Sequence, residues 1–184
     1  MTTMADGPRE EQTDLDESLF KVPAKEYGEH YQNHLLEQYK LYVQMADKIS
    51  ERRQAANSFY LTVNTALIAF LGLVARPDVG SAPAVTANPP LPWVLAVCVA
   101  GGALCYFWYR LVRSYKDLNT GKFKVVHAIE SRLPASPYDA EWEAIGRGED
   151  PKLYLPFTHI EVRVPWVFIV LYILLAGWNI IQAM

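Results

Sequence analysis

Long runs without charge alternate with polar segments along this chain. The stretches 57–74, 91–109 and 164–181 contain no charged residue. Each is long enough to cross a hydrocarbon layer of about 30 Å as a helix that rises about 1.5 Å per residue. The pattern therefore predicts an all-α integral membrane protein with three transmembrane helices, over 57–75, 91–109 and 164–184, and an exterior loop over 76–90.

An apolar seam upstream of the first span repeats at alternating spacings of four and three residues. No proline interrupts it between Leu35 and Val74, so we expect one helix that continues from a cytoplasmic juxtamembrane segment, 25–56, into the first span. This helix is expected to pair with copies of itself or with segment 110–163; the alternative is an amphipathic helix on the membrane surface. The predicted oligomer seam, which includes part of the second span, comprises Leu35, Tyr39, Tyr42, Ile49, Cys98, Gly102 and Cys105.

The second span is also predicted to continue beyond the membrane. Apolar residues recur at near-helical spacing from Leu111 to Leu133, and Pro134 stops the helix. Pairing this stripe with the upstream seam would bury apolar surface that neither helix can hide alone. Prolines and glycines then break the pattern, so segment 110–163 is expected to form a helical extension and a small cap, with a short helix near 139–145 and an extended piece at 152–157.

The positions of Lys and Arg indicate the orientation of the spans. The loop between the first two spans offers only Arg76, and no charged residue follows the third span. The basic residues beside the spans are Lys48, Arg52, Arg53, Arg110, Arg113, Lys116 and Arg163. We therefore expect a cytoplasmic amino terminus and a cytoplasmic segment 110–163, with the carboxyl terminus outside.

Charge adds two expectations. The formal net charge is −3, and the acidic side chains crowd the polar segment 1–24, which is expected to be a disordered tail rather than a cleaved secretory signal peptide. Segment 110–163 balances nine basic residues against eight acidic ones, which leaves no electrostatic footprint for nucleic acid. Attraction of the juxtamembrane Lys and Arg to anionic lipid headgroups is a sufficient explanation for the basic residues.

Residues that could carry chemistry are few. His30 and His34 stand four apart on one helix face, but no third metal ligand is evident. The sequence from Asn119 to Lys122 lacks the glycine-rich run of a phosphate loop. Cys98 and Cys105 lie about 10 Å apart along one helix, too far to bridge. We expect no enzyme activity, no metal and no cofactor.

Polar residues inside the first span are more informative. They recur near helical spacing, and hydroxyl or amide groups in hydrocarbon need a partner. Two interpretations stay open: helix packing within or between subunits, and the wall of a water-lined pore. No span contains an ionisable Asp, Glu, Lys, Arg or His, which argues against a proton-coupled carrier. This polar stripe consists of Asn57, Ser58, Thr62, Asn64 and Thr65.

A set of short motifs around the second and third spans carries a family resemblance. Its members are Tyr115, Leu118, Asn119, Lys122, Phe123, Glu130, Pro134, Trp142, Glu161 and Pro165. With these motifs in this order, the chain resembles the RipA family of octameric bacterial membrane proteins. It has a looser similarity to the two-span SLATT modules, which are thought to act as pores. The resemblance supplies no catalytic residues.

The resemblance implies an eight-subunit ring in the bacterial cytoplasmic (inner) membrane. Self-association and membrane lipids are therefore the expected partners. We expect a homo-oligomeric membrane protein with channel or pore activity. The alternative is a scaffold or adaptor that holds a cytoplasmic protein through segment 110–163.

Overall fold

A computed structural model describes residues 7–74, 90–149, 154 and 160–184, and within them the chain is helical with no strand. Three of the helices are long and apolar enough to span a membrane. The predicted all-α fold with three spans is confirmed. The helices are α1 (Gly7–Leu19), α2 (Ala24–Tyr27), α3 (Tyr31–Val74), α4 (Leu91–Glu130), α5 (Pro137–Ala144) and α6 (Val164–Ala183), and a 3₁₀ turn covers Gly146–Gly148.

Proline and glycine set several of the helix boundaries. Gly28 ends α2 with a φ of 92°, in the left-handed region that favours glycine, so α3 begins afresh at Tyr31. Pro165 lies in the first turn of α6, where the missing backbone donor costs least. The carbonyl of Pro90 accepts from the backbone N–H of Trp93 at 2.8 Å and so begins α4.

The chain divides into two compact units. Unit 1 comprises 1–50 and 117–155, and unit 2 comprises 51–116 and 156–184. The helices α3 and α4 each contribute residues to both units, whereas α6 belongs to unit 2 alone. The apolar stretches predicted as membrane spans therefore all lie in unit 2.

The core of unit 2 forms where α3, α4 and α6 meet. It consists of the buried residues Leu71, Val94, Cys98, Cys105 and Tyr172. Gly101 makes this packing feasible because the ring of Tyr172 occupies the space that a side chain at position 101 would need. A small residue on α4 thus lets α6 approach closely, as is common between membrane helices.

We expect Gly101→Ala to destabilise the helical bundle of unit 2 by about 1–3 kcal/mol, because the added methyl group overlaps a ring that is buried and hydrogen-bonded. Gly102→Ala is the matched control, since nothing lies within 4 Å of the Cβ position there. Thermal unfolding of both variants in detergent measures the difference. Equal melting temperatures for the two variants would show that Tyr172 moves aside at little cost.

Unit 1 packs parts of α3 and α4 with the amino-terminal helices. Its buried apolar residues are Leu35, Ala46, Val126, Ala128 and Ile129. Arg132 forms an ion pair with Asp16 at 3.5 Å, and its guanidinium carbon lies 3.2 Å from the centroid of the Phe20 ring. These contacts attach the amino-terminal segment to the residues that follow α4.

The structure differs from the expectation of a disordered tail over 1–24, because α1 occupies part of it. The acidic composition indicated disorder, but Leu15 and Leu19 are half-buried and Arg132 partly neutralises the acidic face through Asp16. The short helix predicted near 139–145 corresponds to α5, which begins two residues earlier because Pro137 is well suited to a first turn. The predicted extended piece at 152–157 and the loop 76–90 fall almost entirely outside the described residues.

Candidate functional site

One amide oxygen joins the three membrane helices of unit 2. Asn64 on α3 is fully buried, and its Oδ1 accepts hydrogen bonds from the Cys105 thiol of α4 at 3.1 Å and the Tyr172 hydroxyl of α6 at 3.0 Å. Its Nδ2 donates to the carbonyl oxygen of Tyr60 at 2.8 Å. A polar group in hydrocarbon must find such partners, because water is not at hand to replace them. Asn64 therefore holds its own protomer together.

The second amide of the predicted polar stripe is bound in the same way. The indole Nε1 of Trp108 donates to Oδ1 of Asn57 at 2.8 Å. The indole also stacks on the ring of Tyr60, with centroids 5.8 Å apart and planes 7° apart. Asn57 and Trp108 thus connect α3 to α4, and both amides of the stripe serve packing within the protomer.

The three hydroxyl residues of that stripe lie elsewhere on α3. Ser58, Thr62 and Thr65 are exposed in unit 2, and the Thr62 hydroxyl donates to the carbonyl oxygen of Ser58 at 2.8 Å. Successive residues of a helix are separated by about 100° around its axis, so positions 57 and 64 point away from the side that carries 58, 62 and 65. The structure therefore divides the predicted stripe into an internal amide pair and an external hydroxyl face.

Most of the predicted oligomer seam packs inside the protomer. Leu35, Cys98 and Cys105 are buried, Tyr39 is hydrogen-bonded to Glu130, and the ring of Tyr42 receives the ammonium of Lys122 at 4.4 Å from its centroid. Ile49 and Gly102 are half-buried. The three buried side chains are not accessible to a second copy, whereas the four half-buried residues keep part of their surface exposed, so their role between copies stays a prediction.

Unit 1 is built around a buried carboxylate, Glu130, at the end of α4. Its Oε1 accepts from the Tyr39 hydroxyl at 2.7 Å and the backbone N–H of Tyr138 at 3.1 Å, and its Oε2 accepts from the backbone N–H of Asp139 at 3.3 Å. The Nδ1 of His127 lies 3.6 Å from Oε2. Glu130 thereby satisfies free N–H groups in the first turn of α5, where a negative charge is also favourable.

The environment of Glu130 affects the titration of the tyrosine that it binds. Burial, and then the hydrogen bond to Glu130 and its charge, raise the pKa of Tyr39 well above the usual value of 10.0. Burial and nearby carboxylates, with Asp47 first among them, also raise the pKa of Tyr138. Because a raised folded pKa means that the neutral phenol is favoured, the contribution of Tyr39 to stability is complete below pH 10 and is lost as the pH rises further.

The remaining motif residues have mixed environments. Lys122 is buried against Tyr42, and Phe123 contacts the ring of Tyr138 edge-on at 5.6 Å. Oδ1 of Asn119 is buried and has no hydrogen-bond partner. Tyr115 is half-buried, whereas Leu118 and Pro134 are exposed.

Three further motif residues come later in the chain. Trp142 meets Tyr154 edge-on at 6.4 Å in unit 1. Glu161 pairs with Nε of Arg53 at 3.6 Å in unit 2, and Pro165 is buried at the start of α6. Glu130 is therefore the motif residue with the most polar partners, and its position in the sequence gave no sign of them.

The two histidines singled out in the sequence are stacked, with ring centroids 5.8 Å apart. Nδ1 of His34 shares a hydrogen bond with the Tyr27 hydroxyl at 2.8 Å. No group of three metal-ligating side chains occurs in the described part of the chain. His34 therefore serves as a polar partner of Tyr27.

Tyr172, which closes the junction at Asn64, was not among the residues that the sequence pattern singled out. It is the only tyrosine in the third span, and a phenol in mid-membrane needs a hydrogen-bond partner. That requirement was a usable signal. The need for a partner does not identify Asn64 as that partner, because Asn64 is 108 residues away along the chain.

Comparison with known proteins bears on the assembly. A family model described as the octameric membrane protein family (8xMP) matches residues 36–181. No curated protein and no solved structure shows a significant match. The finer resemblances, to the RipA group and to SLATT modules, stay predictions. Since the match covers most of the chain, including the uncharged stretches 57–74, 91–109 and 164–181, this protein belongs to the octameric membrane protein family.

Proposed function

We propose that this chain assembles as a homo-octameric scaffold in the bacterial cytoplasmic membrane, without catalytic activity of its own, and that it holds a cytoplasmic protein through segment 110–163. The observation that supports a scaffold is the junction at Asn64. The fully buried amide of Asn64 bonds to two other helices of the same chain. The amides of Asn57 and Asn64 therefore serve to fix the bundle.

The geometry of unit 1 supports the second part of this proposal. Glu130 binds α3 through Tyr39 and the first turn of α5 through two backbone N–H groups. Because these three hydrogen bonds fix the start of α5, the exposed surface of this helix is preorganised. Preorganisation lowers the entropy that is lost when a partner binds. The exposed side of α5 carries Glu141 and Glu143, and Arg147 of the same chain already pairs with Glu143, so a basic group of a partner would bind at Glu141.

A channel is the second function that an observation favours. Ser58, Thr62 and Thr65 expose hydroxyl groups on one side of a membrane helix. If this side faced the axis of a ring, eight copies would line it with polar groups that water could solvate.

Measurement of copy number and of ion flux separates the two functions. For a scaffold we expect native mass spectrometry of the purified protein to give eight copies, and we expect liposomes that contain it to leak ions no faster than protein-free liposomes. A flux that Thr65→Leu abolishes while eight copies remain would replace the scaffold by a channel. A particle without eight copies would contradict the assembly itself.

Partner binding is tested separately in cells. A photo-reactive side chain at the exposed Glu141 should give one discrete protein adduct, because α5 belongs to the proposed partner surface. The same side chain at Val170, which is exposed on α6, should give lipid adducts only. Identical adduct patterns at the two positions would contradict an adaptor role for α5.

The orientation proposed here places the amino terminus and segment 110–163 in the cytoplasm and the carboxyl terminus outside, in accord with the Lys and Arg bias. A reporter that is active only outside the cytoplasm should work when fused after Met184 and stay inactive when inserted at Gly148. Activity of the reporter at Gly148 would contradict this orientation.

A further inference from the structure

We propose that each protomer binds one anionic phospholipid where α4 and α6 leave the hydrocarbon, with the lipid phosphate held between Arg113 of α4 and Arg163 of α6. The headgroup site consists of these two arginines and of the aromatic residues Tyr109 and Trp166. All four residues belong to unit 2 of one protomer, so the site is complete in a single copy and does not depend on the number of copies.

The headgroup site lies at the boundary of the hydrocarbon. The uncharged stretch of α4 ends at Tyr109, and that of α6 begins at Val164. The ring of Tyr109 meets the ring of Trp166 edge-on, with centroids 5.7 Å apart. Tyrosine and tryptophan prefer the headgroup level, because the ring is half-buried there while its polar group stays hydrated. The charge pattern and the ring contact therefore agree that this end of both helices lies at the level of the lipid phosphates.

Two ring contacts give the relative direction of α4 and α6 at this level. Trp108 meets Phe168 with centroids 6.1 Å apart, and the next residue of α4, Tyr109, meets Trp166. Residue numbers thus rise along α4 as they fall along α6, so the two helices are antiparallel. The direction that leads away from the hydrocarbon is forward along α4 and backward along α6.

This direction brings the two arginines of the site to the same depth. Arg113 follows Tyr109 by four residues, and Arg163 precedes Trp166 by three. Residues three or four apart share one side of a helix, so each arginine lies beyond the aromatic residue of its own helix. At a rise of about 1.5 Å per residue, the backbone depths of the two arginines differ by roughly 1.5 Å. A single phosphate can therefore accept hydrogen bonds from both side chains.

Tyr109 already orients the guanidinium group of Arg113. Nη1 of Arg113 donates to the Tyr109 hydroxyl at 3.0 Å, and the guanidinium carbon lies 5.9 Å from the centroid of the same ring. A guanidinium held in one direction loses less entropy when it binds a ligand, and its planar donors match the oxygens of a phosphate. Arg113 thus supplies a preorganised half of the site. Arg163, which is exposed at the start of α6, supplies the other half.

The charge around the headgroup site favours an anion. Segments 105–116 of α4 and 160–168 contain one carboxylate, Glu161, and it lies 3.6 Å from Nε of Arg53. Within the described residues, no carboxylate pairs with Arg110 or Arg163. The basic residues of the two segments are Arg110, Arg113, Lys116 and Arg163. This excess of positive charge favours a headgroup with net negative charge over a zwitterionic one.

A surface for acyl chains adjoins the headgroup site on its membrane side. Tyr106 of α4 and Val167 and Val170 of α6 lie within about one helical turn of the aromatic pair, and each is more than half exposed. The order from guanidinium groups through aromatic rings to apolar side chains is the order from phosphate to hydrocarbon in a phospholipid. Free phosphate would use only the polar end of this surface, so a lipid is the occupant that fits it.

Native mass spectrometry of the detergent-purified protein tests this site by counting the lipids retained per chain. The probes are phosphatidylglycerol and phosphatidylcholine with identical acyl chains. We expect phosphatidylglycerol to bind about tenfold more tightly than phosphatidylcholine, and to stay bound in excess inorganic phosphate. Arg113→Gln and Arg163→Gln should each weaken phosphatidylglycerol binding about fivefold, the effect of one basic residue near an anionic headgroup.

The matched control is Arg52→Gln, which removes the same charge from an exposed position of α3 and should change the affinity less than about twofold. Thermal unfolding should be unchanged in Arg163→Gln, because that side chain is exposed, so its loss of lipid is not a loss of fold. The inference is overturned if the two lipids bind equally, if either arginine of the site can be replaced without loss, or if Arg52→Gln weakens binding as much. Displacement of the lipid by inorganic phosphate would also overturn it, in favour of a site for free phosphate.

Discussion

Replacing Glu130 by alanine should destabilise unit 1 by about 3–5 kcal/mol. The substitution leaves the Tyr39 hydroxyl and the backbone N–H groups of Tyr138 and Asp139 without their acceptor, and each unsatisfied buried donor costs about 1–3 kcal/mol. Because Glu130 connects α3, α4 and α5, we expect α5 to detach first. Hydrogen exchange of the α5 amides should rise by two or more orders of magnitude, and thermal unfolding in detergent should shift downward.

Two matched variants make this result specific. Glu130→Gln keeps one oxygen that can accept hydrogen bonds from Tyr39 and Tyr138. It should therefore lose less than half as much free energy of unfolding as Glu130→Ala. Glu141→Ala removes an exposed carboxylate from α5 and should change little. Exchange of the α5 amides that stays slow in Glu130→Ala would show that the buried carboxylate does not hold this helix.

Replacing Asn64 by leucine should weaken the bundle of unit 2 by about 2–4 kcal/mol. Two interhelical bonds are lost, each contributing roughly 0.6–2 kcal/mol between membrane helices, and the buried Tyr172 hydroxyl is left without an acceptor. Leucine is also branched differently from asparagine and must fit beside Cys105. The lost stability is measured on single protomers, as their resistance to unfolding by a denaturing detergent.

The control for this variant is Ala66→Leu, which introduces the same side chain at an exposed position two residues away. It should leave the protomer as stable as the unmodified chain. If Asn64→Leu instead left stability unchanged and altered ion flux through liposomes, the amide would line a conduit. The distinction matters because the same residue was open to both interpretations in the sequence.

The two predictions concern different units and should be independent. Glu130 belongs to unit 1 and Asn64 to unit 2, and they share no hydrogen-bond partner. Effects of substitutions without shared partners usually add within about 0.5 kcal/mol. A double variant should therefore lose the sum of the two effects, and a clear departure from the sum would reveal coupling through α3 or α4.

The sequence by itself determined the three long apolar helices that could span a membrane, but not α1. Uncharged runs of about twenty residues must satisfy their backbone polar groups internally in lipid, and a helix is the only local structure that does so. The prolines near positions 90, 134 and 165 marked boundaries because proline restricts the backbone wherever it occurs. These properties depend on local composition, so they could be predicted without knowing any contact.

Tertiary structure alone decided which polar groups meet. Asn57, Ser58, Thr62, Asn64 and Thr65 formed one polar stripe in the sequence, yet the amides turn inward and the hydroxyls outward. The oxygen of Asn64 selects donors that are 41 and 108 residues away, and Glu130 selects Tyr39 at a separation of 91. Periodicity shows that a polar group needs a partner, but only the packing of the helices brings a particular donor within hydrogen-bond distance.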